Sequence, residues 1–100
     1  MREETLSELL KKAQETFEQR DKEYGSAYQT QGTVLKAYFQ NGLHLETAQD
    51  FAEFALFSMV VGKANRWAQA FQNGHSHQDS LHDMGVYSFM LEEVAGWRKE

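Results

Sequence analysis

Two pairs of acids in two apolar stretches, Asp50-x-x-Glu53 and Asp79-x-x-x-Asp83, are the side chains of this sequence best suited to metal chemistry. Carboxylates three or four residues apart share one face of a helix, so antiparallel packing of the two stretches is expected to turn four oxygen-bearing side chains towards one point. Such a set suits a hard divalent cation, Mg2+ above all. A metal held there would neutralise phosphate charge and position or activate a water, while cationic side chains gripped the remaining phosphates. The competing reading is a solvated acidic face, because 15 acids in 100 residues produce such spacings by chance.

The nearest cations in the sequence are Lys63 and Arg66. At about 100° per residue they fall on the side of an ideal helix opposite Asp50 and Glu53. Either the phosphate contacts come instead from Arg20, Lys22 or a second subunit, or Lys63 and Arg66 form salt bridges and lay their stems on apolar surface. Tyr24, followed by Gly25, is open to two readings as well. It is a core residue with its hydroxyl at the edge, or a stacking platform for a base. Arg20 lies four residues earlier on the same face and suits that base's phosphates, whereas Lys22 points elsewhere. Trp67 and Trp97 fit packing or an oligomer interface. His82-Asp83 has the look of a phosphohydrolase HD dipeptide but lacks further His and Asp ligands, with His44 the sole upstream candidate, and His75 and His77 fall in a polar loop. No GxSxG elbow and no glycine-rich phosphate loop occurs, which argues against a covalent hydrolase and against kinase chemistry.

The elements that must position these residues are helical. Leu6, Leu9, Leu10, Ala13 and Phe17 recur at helical spacing with Tyr24 extending the stripe, Thr5-x-x-Glu8 reads as a capping box, and Gly25 is a stop. A second helix is predicted from about Ala27 to Gln40, ending at Asn41-Gly42. The third, from about Thr47 to Gln72, is apolar on nearly every side from Phe54 to Val61, the mark of a helix covered by neighbours or by another subunit. After Asn73-Gly74 a fourth helix runs from about Asp79 to Trp97, with Met84, Tyr87, Ser88, Leu91 and Ala95 facing inward. No stretch alternates as a strand does. The expected fold is a single all-α domain over residues 1–100, an antiparallel bundle of about four helices around a long central third helix.

Composition narrows the function classes. A 41% hydrophobic chain of 100 residues can form a core but is poor in buried area for its size, which makes a homo-oligomer plausible. Cysteine is absent, so thiolate metal sites are excluded and a reducing compartment is the natural setting. The charged start, Met1-Arg2-Glu3-Glu4, reads as neither signal peptide nor spanning helix, and the expected location is the cytoplasm, with no membrane partner. A net charge of -5 argues against duplex nucleic acid as a partner but leaves small phosphate ligands open.

Three motifs carry a resemblance. Arg20-Asp-Lys-Glu-Tyr-Gly25, Lys63-x-x-Arg66 and Asp79-Ser-Leu-His-Asp83-Met-Gly-Val-Tyr87 resemble a family of small phage and prophage proteins, over most of the chain from Phe17 to Val94. More distantly the layout is similar to the MazG-like all-α nucleoside-triphosphate pyrophosphatases. The resemblance implies Mg2+ held between two helices by an ExxE pair and an ExxD pair, and cleavage between the α and β phosphates of a nucleotide. Asp50 and Glu53 would stand for the first pair and Asp79 and Asp83 for the second, with Asp for Glu twice and the second pair spaced by four. The leading expectation is a phage-type protein that binds a nucleotide or nucleotide-derived ligand, with or without hydrolysis. Its competitors are a non-enzymatic protein that inhibits a host or defence protein, and one that sequesters a nucleotide signal without turnover.

Overall fold

The computed structural model describes residues 3–98, so Met1 and Arg2 of the charged N-terminal stretch lie outside the described residues. These residues form four α-helices and no strand: α1 Leu6–Tyr24, α2 Ala27–Tyr38, α3 Ala48–Gln72 and α4 Gln78–Ala95. The fold is all-α, as the helical spacing predicts.

Helices α1 and α3 begin where a threonine satisfies free backbone amides, and a glycine follows the last turn of α1, α3 and α4. The capping box of α1 is present: the Thr5 hydroxyl accepts from the Glu8 amide at 3.2 Å and the Glu8 carboxylate accepts from the Thr5 amide at 3.4 Å. Gly25 closes this helix at a φ of 57°, its amide donating to the Asp21 carbonyl. Helix α2 stops two residues before the predicted Gln40. Phe39 leaves the helical path and sets its ring edge-on to Phe54 and Phe57, at 5.9 and 5.7 Å between centroids. The turn after α3 is a Schellman closure, with Gly74 donating to the Phe71 carbonyl at 3.1 Å and His75 to the Ala70 carbonyl at 2.8 Å. Gly74 supplies the left-handed φ of 81° that this closure requires.

That short turn folds α4 back antiparallel along α3. Gln49 near the start of α3 donates to the carbonyl of Val94 near the end of α4, at 2.6 Å, while Lys63 and Asp83 pair midway. Helix α2 lies on another side of α3, tied by Gln31 donating to the Ser58 carbonyl at 2.9 Å and by Asn65 donating to the Ala27 carbonyl and the Thr30 hydroxyl. The end of α1 packs where Tyr24, Ala27 and Ala70 form a small buried cluster. Helix α3 thus touches all three others, which accounts for its nearly all-round apolar centre. On α4, Met84, Tyr87, Leu91 and Ala95 are half-buried as the inward stripe predicts, whereas Ser88 is exposed and Ser80 and Val94 are buried instead.

Asp50 has a structural task. In a second capping box, Thr47 accepts from the Asp50 amide at 3.1 Å, and the Asp50 carboxylate accepts from the amides of Glu46 and Thr47 at 3.0 Å each. Helix α4 ends at Ala95 rather than at Trp97, the chain continues in tight turns in which Trp97 donates to the Val94 carbonyl and Arg98 to the Ala95 carbonyl, and Arg98 ion-pairs with both Asp50 and Glu53. The Arg98 guanidinium first, and then the Thr47 and Glu46 amides, hold the Asp50 carboxyl well below the usual carboxylate range. Arg98 is pushed up in return.

Three expectations follow from these contacts. Asn65→Ala removes two of the three half-buried bonds that tie α2 to α3 and should cost about 1–3 kcal/mol, lowering the midpoint of thermal unfolding by at least about 4 °C. Gln29→Ala, which deletes a side chain bonded among the described residues only to the neighbouring exposed Tyr28, should stay within about 0.5 kcal/mol in the same thermal unfolding measurement. Because the folded chain lowers the Asp50 pKa, the unfolded chain binds the extra proton, and the stability Asp50 contributes is complete above the unfolded value of about 4 and lost as pH falls below it. Denaturant midpoints measured from pH 6 down to 2.5 should therefore fall less steeply for Asp50→Asn than for the native chain.

Candidate functional site

The antiparallel register decides which of the candidate residues meet. Asp50 lies in the first turn of α3 and Asp79 in the first turn of α4, and in an antiparallel pair the two first turns lie at opposite ends. Asp83 is level with Lys63, thirteen positions along α3 from Asp50, or roughly 20 Å at 1.5 Å per residue. The four carboxylates therefore do not converge. Among the described residues no group of three or more His, Asp or Glu side chains is arranged to hold a metal ion. Glu53, beyond its pair with Arg98, accepts from Gln49 at 3.1 Å, so both acids of the first pair already have partners within the chain.

The second pair lies beside the candidate cations. Arg20 from α1, Arg66 from α3, and Asp79 and Asp83 from α4 line one polar cavity of about 380 Å³, together with Glu23 and His77. Thr16, Arg20, Tyr24 and Arg66 also line a neighbouring cavity of about 410 Å³, whose other walls are Ala13, Phe17, Asp21, Gly25 and Tyr28. The result is a two-lobed cleft with guanidinium groups at the junction, a polar lobe towards α4 and an aromatic lobe between α1 and α2. Each lobe is in the size range of small-molecule sites.

Tyr24 organises the junction from below. Its ring is only 7% exposed, with the Arg66 guanidinium carbon 5.2 Å from the ring centroid and the His77 ring edge-on at 5.4 Å. The core reading of Tyr24 is the one its burial supports, because the ring is covered and offers no open face for a base. Phe17 and Tyr28 do offer one. They meet edge-on at 6.2 Å and are both more than half exposed. The sequence signals for these residues were weak, since Phe17 reads as one more member of an apolar stripe and Tyr28 as a helix-start residue.

The remaining candidates separate by partner. Lys63 is four-fifths buried along its side chain and pairs with Asp83 at 3.1 Å, the salt-bridge role that its position opposite Asp50 suggests. Arg20 and Arg66 form no ion pair among the described residues, although both border the cleft. Lys22 is exposed and lines neither lobe. His77, which reads from sequence as part of an exposed loop, is instead half-buried: its Nδ1 bonds the buried Ser80 hydroxyl and its Nε2 lies 3.5 Å from the Glu23 carboxylate. The signal that identifies it is the His-x-x-Ser spacing at the start of α4, where a side chain can bond back across the first turn.

Chemically the cleft can receive an anion between two guanidinium groups and a flat apolar group against two aromatic rings. No helix of the described chain is long and apolar enough to cross a membrane. No protein-family model matches the chain, and no curated protein or solved structure is similar to it.

Proposed function

We propose that the protein binds a nucleotide or nucleotide-derived ligand in this two-lobed cleft, in the cytoplasm, with the phosphates between Arg20 and Arg66 and the base against Phe17 and Tyr28. The observation that carries the reading is that two arginines on different helices, neither ion-paired among the described residues, border one cleft beside an exposed aromatic pair. A guanidinium without a carboxylate partner is free to make bidentate, charge-assisted bonds to phosphate. The aromatic lobe supplies sequence-tolerant stacking.

The acids of the polar lobe bear on the cofactor. Glu23, Asp79 and Asp83 would repel a bare polyphosphate, and Mg2+ relieves that repulsion in its usual manner, bound by one or two carboxylates together with phosphate oxygens. Asp79 is the carboxylate on offer, since Asp83 is already paired with Lys63. The metal would supply charge neutralisation to the phosphate chain; Arg20 and Arg66 orient it. With Asp50 and Glu53 engaged by Arg98 at the other end of the hairpin, the arrangement favours binding or sequestration over hydrolysis by a four-carboxylate centre.

Calorimetric titration with nucleoside triphosphates and cyclic dinucleotides, each with and without Mg2+, tests the reading. At least one of these should bind and raise the unfolding temperature. Arg20→Ala should weaken that binding about 10-fold or more, and reduce its salt sensitivity, while leaving the unfolding midpoint of the free protein within about 2 °C, since one charge-assisted bond contributes about 1.5–3 kcal/mol. Absence of binding by all of them, or undiminished affinity in Arg20→Ala, would refute the assignment.

A further inference from the structure

Helix α1 is an arm whose apolar side is exposed over its N-terminal half. Every residue from Glu3 to Lys22 is exposed, and the side chains that most need cover, Leu6 at 72%, Leu9 at 50% and Leu10 at 61%, stand on the stripe that Ala13 and Phe17 continue. Most helical stability in proteins comes from packing of an apolar face rather than from propensity, so a stably formed α1 needs a surface against that stripe. The rest of the chain supplies one near Tyr24 and, through Tyr28, beside Phe17, but Leu6, Leu9 and Leu10 stay exposed.

The area involved indicates the size of the missing surface. The chain exposes 7920 Å², about 2,000 Å² more than a compact monomer of 11.6 kDa would. Its radius of gyration of 16.8 Å likewise exceeds the about 13 Å of a compact chain of this length. A stable dimer buries about 800 Å² from each partner, so the excess is enough for one such interface.

The pattern of the stripe identifies the occupant. Leu6, Leu9 and Leu10 lie before Ala13, and Thr16 and Phe17 after it, with no charged residue on the stripe until Arg20. A small residue midway between large ones is what an antiparallel pair of identical helices requires, because the two-fold axis then passes where the backbones come closest and each large side chain meets space beside its counterpart. We infer that a second copy of this chain packs across α1, antiparallel, with the two-fold axis at Ala13 and Leu9 and Leu10 set against the partner's Phe17. Ala13, Thr16 and Phe17 also border the aromatic lobe of the cleft, so the partner's α1 forms the outer wall of that lobe. The inference does not depend on what the cleft binds.

The absence of cysteine allows a direct test. In Ala13→Cys any disulfide is intermolecular, and across a two-fold axis at this position the two Cα atoms fall within the about 4.4–6.8 Å that a disulfide spans. Mild oxidation should convert Ala13→Cys to a covalent dimer and leave Gln14→Cys, on the next face, mostly uncoupled. Sedimentation of the native chain should return a dimer, and Leu9→Asp with Leu10→Asp should raise its dissociation constant by at least about 100-fold. Should the double variant lose helix α1 itself, the cysteine pair still decides, since it leaves the leucines in place. A native chain that is monomeric at every accessible concentration, a dimer that survives the two aspartates, or equal coupling at positions 13 and 14 would overturn the inference.

Discussion

The antiparallel register of α3 and α4 is the constraint on which the site depends. A Schellman turn at Gly74 reverses the chain within a few residues, and from there the pairing of Lys63 with Asp83 and of Gln49 with the Val94 carbonyl follows position by position. Because both acid pairs sit in or near the first turns of their helices, the same reversal that brings the helices together sends the pairs to opposite ends. One end is closed on itself by Arg98. The other opens onto α1, and there Arg20 and Arg66, which form no ion pair among the described residues, gather.

This geometry explains what could be read from the residues. The helix starts and stops at Thr5, Gly25, Thr47 and Gly74 were legible, because capping and left-handed turns are local and depend on few atoms. The central place of α3 was also legible in its all-round apolar middle. The expectation of one four-carboxylate site fails on register: spacing along one helix fixes which side chains share a face, but height along an antiparallel pair is set by the turn that joins the helices. Counting from the turn at Gly74 would have set Asp83 near Lys63 rather than near Asp50. Tyr24 and Arg20 fell on one face by spacing alone, whereas the approach of Arg66 and His77 to Tyr24 comes from three helices meeting and has no local signature.

A division of labour among the charged residues follows. Lys63, Arg98, Asp50, Glu53 and Asp83 join one element to another through ion pairs, and the Arg98 group gains further from the capping bonds at Thr47. Arg20 and Arg66 have no such partner among the described residues, and Arg66 is kept in place by stacking on a buried ring rather than by a carboxylate. Stacking leaves the guanidinium N–H groups at the ring's rim available, which an ion pair would not. The cation that positions itself without using its donors is the one suited to a ligand.

The account's central claim, that Arg20 and Arg66 receive phosphate, is tested most directly by following arginine side-chain Nε–H signals in a 1H–15N NMR titration with a Mg2+-loaded nucleoside triphosphate. The account predicts that the Arg20 and Arg66 signals move together with the Phe17 and Tyr28 ring protons while Arg98 stays fixed in its pairs with Asp50 and Glu53. Movement of Arg98 with Arg20 and Arg66 unperturbed would contradict it.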